Sequence, residues 1–268
     1  MLISVPASTA NLGAGFDCLG LALDLKFNVH IDDPDHTGPP TAARHPAQVA
    51  FNKSGGTGPI YVSTEIPPGK GFGFSGAARV AGAAAALLQR SGSTNFSELL
   101  EATTELEGHA DNVAASIYGG LTVVSDGRVV RLSPHQKFQI LMWVPDSATS
   151  TVASRQKLPK HVSFADASQA IGKATLMVAA MITGDKSALR TACKDQLHQP
   201  TRLESAPQSV IALANALENG ASAAWLSGSG PSIAILAEPH LVEHLQSCMP
   251  ESGHTKSVAI SRYGLQVS

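Results

Sequence analysis

The chain has 268 residues, 43% of them hydrophobic and 15% charged, with 19 basic against 21 acidic side chains and a net charge of −2. That length allows one large domain or two compact lobes, and the composition excludes a disordered or fibrous protein. The near-neutral balance gives no electrostatic footprint for nucleic acid or an anionic membrane, so neither is expected as a partner.

Cys18, Cys193 and Cys248 have no short spacing between any two. An odd, sparse set reads as reduced thiols in a cytoplasmic protein rather than a disulfide framework. The opening "MLISVPASTANLG" lacks a basic leader, and Asn11 and Asp17 interrupt its apolar run, so no cleaved signal is expected. No apolar run approaches the roughly 20 residues that span a bilayer.

Residues 2–6 and 19–31 read as strands around the bend "NLGAGFDCLG". "DPDHTGPPTAARHPAQ" is turn-rich and charged, a surface connection with at most a short helix. "PIYVSTEI" reads as a strand feeding the glycine loop, and "SGAARVAGAAAALLQRSG" as a helix packed through small residues and ended at "SGS". Asn95 and Glu98 make a capping pair for the next helix, whose Leu99, Ala102 and Leu106 keep one face inward. "LTVV" and "VVRL" flank "SDGR", where Asp-Gly suits the positive φ of a tight hairpin. "FQILMWV" reads as a buried strand. Ser163 and Asp166 cap a helix running to Thr183, and 186–196 and 206–218 read as helices. "SAAWLSGSGPSIAILA" reads as strand, glycine turn, strand. The outcome is an α+β protein of two lobes, residues 1–136 and 137–268.

Five segments carry chemistry. In "IPPGKGFGFSG" a glycine-rich turn meets a helix N-terminus, whose unpaired N–H groups and dipole suit an anion. It is neither a Walker A sequence nor G-x-G-x-x-G, and read alone it is better explained as a tight turn. Asn11 and Asp17 sit in an apolar region, where Asx-turn capping is the plainer account. Glu107, His109, Asp111 and Asn112 cluster at the end of a helix, as oxygen ligands for Mg²⁺ or as a solvated helix end. Arg155, with Thr151 one helical turn before it, and Arg202 offer guanidinium forks for a carboxylate; either alone is better explained as a solvated surface charge. "WLSGSGPSIAIL" is a turn approaching a ligand or an ordinary β-turn.

Taken in order from Val5 to Ser232, these segments, with "EGHADNV", "STVASRQKLP" and "LHQPTR", resemble the GHMP kinases and within them the homoserine kinase branch. The resemblance implies an N-terminal lobe with a left-handed βαβ unit and a ferredoxin-like C-terminal lobe, with the site in the cleft between them. It implies transfer of the γ-phosphate of ATP, with Mg²⁺, to the hydroxyl of L-homoserine, a step of threonine biosynthesis. Pro67, Pro68, Gly69, Lys70, Gly71, Phe72, Gly73, Phe74, Ser75 and Gly76 would wrap the triphosphate, with Ser75 and Glu107 beside the metal. Asn11, Asp17, His109 and Asn112 would surround the amino-alcohol end, and Thr151, Arg155 and Arg202 would hold the carboxylate. Catalysis would depend on Asn112, Asp17 and Arg155. Asp111 is a general base by type only, and polarisation of the hydroxyl is preferred. A homodimer is expected from the family alone.

Two departures stand out. Phe74 occupies the place of one of the family's two serines, with Gly76 after it, and the loop is read as modified but working. Residues 32–60 are shorter than in the family, so adenine recognition falls to "HPAQVAF" in reduced form. The alternatives are a kinase for another small hydroxy acid, pantoate or threonine, and a catalytically silent metabolite-binding protein.

Overall fold

The computed structural model describes residues 1–31, 38–147 and 151–268, the side chains of 151–153 excepted. The first lobe opens with two long antiparallel strands, β1 (Leu2–Ala10) and β2 (Leu19–His30). The strand expected at 2–6 continues to Ala10, because the register shifts between Pro6 and Ala7 and pairing resumes beyond. Such a bulge accommodates a residue that has no N–H to give the ladder.

The turn-rich stretch contains the short helix α1 (Pro46–Lys53), capped by His45, whose Nδ1 accepts from the Ala47 N–H at 3.2 Å. β3 (Tyr61–Thr64) then leads through the glycine loop into α2 (Phe74–Ser91). Ala77, Ala78, Ala81 and Ala83–Ala86 are buried, and such small side chains let α1 and β1 approach the helix closely.

α3 (Phe96–Glu107) starts at Asn95, whose side chain accepts from the N–H groups of Ser97 and Glu98. α4 (Asp111–Tyr118) was not legible: the cluster read as one helix end spans the end of α3 and the start of α4, with Gly108 between them. The hairpin β4 (Leu121–Ser125) and β5 (Arg128–Leu132) turns on Asp126 and Gly127, at φ 47° and 71°. β2 is the hub of this sheet. β1 pairs along one edge, while residues 27–30 bond β3 and 19–21 bond β4 on the other.

The second lobe begins with β6 (Gln139–Pro145) and the helices α5 (Thr151–Gln156) and α6 (Phe164–Thr183). Ser163 Oγ accepts the Asp166 N–H and donates to Asp166 Oδ2 at 2.7 Å, the cap that the sequence announced. α7 (Lys186–Ala192) stops short of the expected 196, because the Asp195 carboxylate accepts the N–H groups of Leu197, His198 and Gln199 and starts α8 (Gln199–Leu203) instead. α9 (Pro207–Glu218), β7 (Ala223–Leu226), β8 (Ile233–Ala237), α10 (Val242–Ser247) and β9 (Gly253–Val258) complete the lobe.

Its sheet runs β7-β8-β6-β9, all antiparallel, with helices between β6 and β7 and between β8 and β9. This is the ferredoxin-like βαββαβ arrangement. β6 shows why an unbroken apolar run reads as a buried strand. Ile140, Met142 and Val144 join one core, while Leu141 and Trp143 join a second with residues of α9 and α10. Period-2 alternation puts both faces of the strand out of water. The last strand, β10 (Gln266–Val267), returns to the first sheet and pairs with β1.

The lobes are tied together beside the cleft. Lys70 Nζ donates at 2.7 Å to each of the carbonyls of Pro145, Asp146 and Ser147 at the end of β6. Trp225 Nε1 and Ser227 Oγ both donate to Thr9 Oγ1, at 2.9 and 2.8 Å.

Candidate active site

A cleft separates the lobes, lined by the loop before α2, the α3–α4 junction, the bend after β1, and the turn after β7. Gly69, Gly71 and Gly73 have φ of 70°, 77° and 67°, a left-handed series that turns the chain into α2. Gly73 is the N-cap of that helix, so the N–H groups of its first turn have no capping side chain beside them. An anion supplies what a cap would. Of the loop, Gly69, Gly71, Gly73, Phe74 and Ser75 line the cleft, whereas Pro67, Pro68, Lys70, Phe72 and Gly76 do not. Phe72 is buried in the core, and Lys70 is the clasp just described.

Phe74 does not turn its ring on the phosphate loop alone. It packs edge-on against Phe27 and His45, with centroids 5.5 and 5.8 Å apart. Burial lowers the pKa of His45, which favours the neutral ring. The aromatic cluster joins the start of α1 to the start of α2.

At the α3–α4 junction, His109 Nδ1 is 2.9 Å from Asp111 Oδ1, which also accepts the Asn112 N–H at 2.7 Å. Asn112 Oδ1 accepts from Ser8 Oγ at 2.8 Å, a contact with β1 that sequence reasoning missed. Asn11 Oδ1 accepts the Asp17 N–H at 3.0 Å, and Asn11 Nδ2 donates to the Gly228 carbonyl at 3.1 Å. Asn11 therefore braces this bend across six positions rather than the two of an Asx turn, and the bend is also part of the cleft. Asn11, Leu12 and Asp17 have φ of 69°, 46° and 59°, non-glycine residues held where side chains are strained.

The charged pole comes next. Arg155 binds Asp17 in bidentate fashion, NH1 to Oδ2 at 2.9 Å and NH2 to Oδ1 at 2.6 Å. The hydrogen bond to Asp17 raises the Arg155 pKa further. Two groups expected to hold opposite ends of a substrate thus hold each other. Arg202 is buried, its NH1 shared between His198 Nδ1 at 3.1 Å and the Gly228 carbonyl at 3.0 Å, while its Nε has no partner among the described residues. Desolvation, then the nearby Arg155, lowers its pKa. His198 Nε2 lies 2.9 Å from the Gly13 carbonyl, so this ring donates there and accepts from Arg202 at Nδ1. Burial lowers the His198 pKa, in keeping with a neutral ring. Both guanidinium carbons stand 5.3 Å from the Phe16 ring, which stacks on His198. Phe16, His198 and Asp195 were missed as site residues. The Thr151 side chain lies outside the described residues.

Ser75 and Glu107 are adjacent, Ser75 Oγ donating to Glu107 Oε2 at 2.9 Å. A third partner was not foreseen: the Arg79 guanidinium is ion-paired with Glu107 and donates to Ser75 Oγ. Among the described residues no group of three or more His, Cys, Asp or Glu is arranged to hold a metal ion. A hydroxyl and one carboxylate suit Mg²⁺ only when phosphate and water supply the rest. Here the charge of that carboxylate is already neutralised, so the pair as it stands does not fit a protein-held ion.

A helix head shaped for an anion, facing a pole of arginine and aspartate, defines a site for phosphoryl chemistry on a small charged molecule. The family models for the GHMP kinase N-terminal and C-terminal domains match residues 42–120 and 177–255. A homoserine kinase of Desulfitobacterium hafniense is 32% identical over 286 residues, covering 99% of this chain and 96% of its own. One from Thermus thermophilus is 35% identical, covering 87% and 85%. The crystal structure of homoserine kinase from Cytophaga hutchinsonii superposes with a TM-score of 0.84 at 25% identity, covering 100% and 97%. The chain belongs to the GHMP kinase family. It is a phosphotransferase acting on a hydroxyl group. No helix among the described residues is long and apolar enough to cross a membrane.

Proposed function

We propose that this enzyme phosphorylates the side-chain hydroxyl of L-homoserine with ATP, the step that commits homoserine to threonine. The observation that carries the reading is the Arg155–Asp17 pair in the same cleft as the α2 head. A zwitterionic amino acid has both partners that this pair lacks elsewhere: its carboxylate replaces Asp17 on the Arg155 fork, and its ammonium takes the freed Asp17. Arg202, with its unpartnered Nε, supports a second hold on the carboxylate. The relatives named above are homoserine kinases, which supports the choice of acceptor.

Residues 1–136 are read as the nucleotide lobe and 137–268 as the lobe that closes the cleft, with β10 reaching back to the first. The amides at the start of α2 hold the transferred phosphate, and the aromatic cluster of Phe27, His45 and Phe74 walls the side facing α1, where the base is read to lie. Asn11, His109 and Asn112 orient the amino alcohol. Phosphoryl transfer asks for positioning and charge neutralisation more than for covalent work by the protein. Mg²⁺ enters this reading as the companion of ATP, and no step is assigned to an ion held by Ser75 and Glu107. Three free thiols support a cytoplasmic enzyme.

The test is an acceptor panel with Mg·ATP: ADP release with homoserine, and little with threonine or pantoate, is the expected result. Turnover of another acceptor, or amino-acid binding without turnover, replaces the reading with the corresponding alternative.

A further inference from the structure

The seat formed by Ser75 and Glu107 already contains a cation. Arg79 follows Ser75 by one helical turn, so both side chains share a face of α2. Long helical side chains lean toward the N-terminus, and the Arg79 guanidinium does so, reaching Glu107 and Ser75 Oγ at the rim of the phosphate loop. The Glu107 side chain is 8% exposed and that of Arg79 is 24% exposed, so water screens this pair only in part. A cation at this end of a helix works against the macrodipole, and Glu107 offsets the conflict. A triphosphate in the loop removes it. It brings negative charge to the helix head and gives a planar fork with five donors a second acceptor.

We propose that Arg79 is a phosphate-binding residue of the nucleotide site, a cation built into α2 that occupies the place Ser75 and Glu107 would otherwise offer to a protein-held metal ion. The proposal rests on the phosphotransferase reading of the cleft. Two consequences follow. Nucleotide polyphosphate binds this protein appreciably without divalent metal, and removing the guanidinium opens the Ser75–Glu107 pair to an ion.

The experiment is calorimetric titration of the full chain with a non-hydrolysable ATP analogue and with adenosine, in EDTA and then in Mg²⁺, for wild type, Arg79→Gln and Arg79→Lys, with thermal unfolding as a check on folding. In EDTA, Arg79→Gln is expected to weaken analogue binding by on the order of 10-fold or more, the scale of a lost charge-assisted bond, and to leave adenosine binding unchanged. Mg²⁺ should then strengthen analogue binding by a larger factor in Arg79→Gln than in wild type. Arg79→Lys, which keeps charge without the fork, should fall between the two; if Arg79→Gln does not fold, the same comparison is made with Arg79→Lys. Equal affinity of variant and wild type in EDTA, or an equal gain from Mg²⁺, overturns the proposal and leaves Arg79 as a structural partner of Glu107. Failure of the wild type to bind the analogue in either buffer would instead overturn the phosphotransferase reading itself.

Discussion

Replacing Gly73 by alanine tests the cradle at its tightest point. Two separable costs follow from the structure. Gly73 has φ +67°, and a left-handed non-glycine residue costs about 1–2 kcal/mol. A Cβ built there stands 2.1 Å from Ser8 Oγ and 2.9 Å from Asn112 Oδ1, distances no real contact sustains. Ser8 must therefore move, and its 2.8 Å bond to Asn112 goes with it. A buried polar group left without a partner costs a further ~1–3 kcal/mol. The sum, roughly 2–5 kcal/mol, lowers Tm by roughly 4–9 °C in a chain of this size.

Gly92→Ala is the control. Gly92 has φ +70° with nothing among the described residues within 4 Å of a built Cβ, so it bears the backbone cost alone. Its Tm should fall by roughly 40–50% of the Gly73→Ala loss on the same accounting. Adding Ser8→Ala to Gly73→Ala removes the clashing oxygen, so the double variant should be more stable than the sum of the two single losses predicts. Thermal unfolding by circular dichroism reads the wild type, the three single variants and the double variant. Equal losses for Gly73→Ala and Gly92→Ala, or strict additivity in the double variant, would refute the crowding argument.

Arg155→Ala should raise the KM for homoserine by on the order of 10-fold or more in steady-state assays, and Arg155→Lys should recover little because an ammonium cannot form the fork. An unchanged KM removes Arg155 from the site. Burial holds the His198 pKa below its ordinary value of 6.5, so on acidification the unfolded chain takes up a proton that the folded one refuses. The stability this represents is full above about pH 6.5 and is lost as pH falls toward the lower folded value. Tm should therefore decline between pH 7 and 5, and His198→Gln should flatten that decline; an equal slope in the variant contradicts it. Phe74→Ala should cost about 1–3 kcal/mol of stability through the lost packing on Phe27 and His45. It should also leave phosphate transfer working, since the proposed function has main-chain amides, not this ring, hold the phosphates. A variant of full stability, or one that folds but loses all turnover, would count against this account of the ring.

What the sequence alone determined was what short-range chemistry controls. The Ser163 cap, the Asn95 cap, the Asp126–Gly127 turn and the alternating faces of β6 depend on partners a few residues away or on a period of two, and a one-dimensional pattern records both. The ordered glycine loop, "EGHADNV" and "LHQPTR" were also legible, because a site built on the ends of elements leaves short fixed strings. Local signals already failed where two fates competed for one residue, as at Asp195, which caps α8 instead of extending α7.

Only the tertiary structure decided which charges meet. Arg155 reaches Asp17 across 138 positions, Ser8 reaches Asn112 across 104, and β10 closes on β1 from the other end of the chain. Arg79 among alanines looks like an ordinary solvated charge until α3 brings Glu107 beside it. The reason is physical: an ion pair depends on separation in space and on the water around it, and both are set by how helices and sheets pack, which no local spacing encodes.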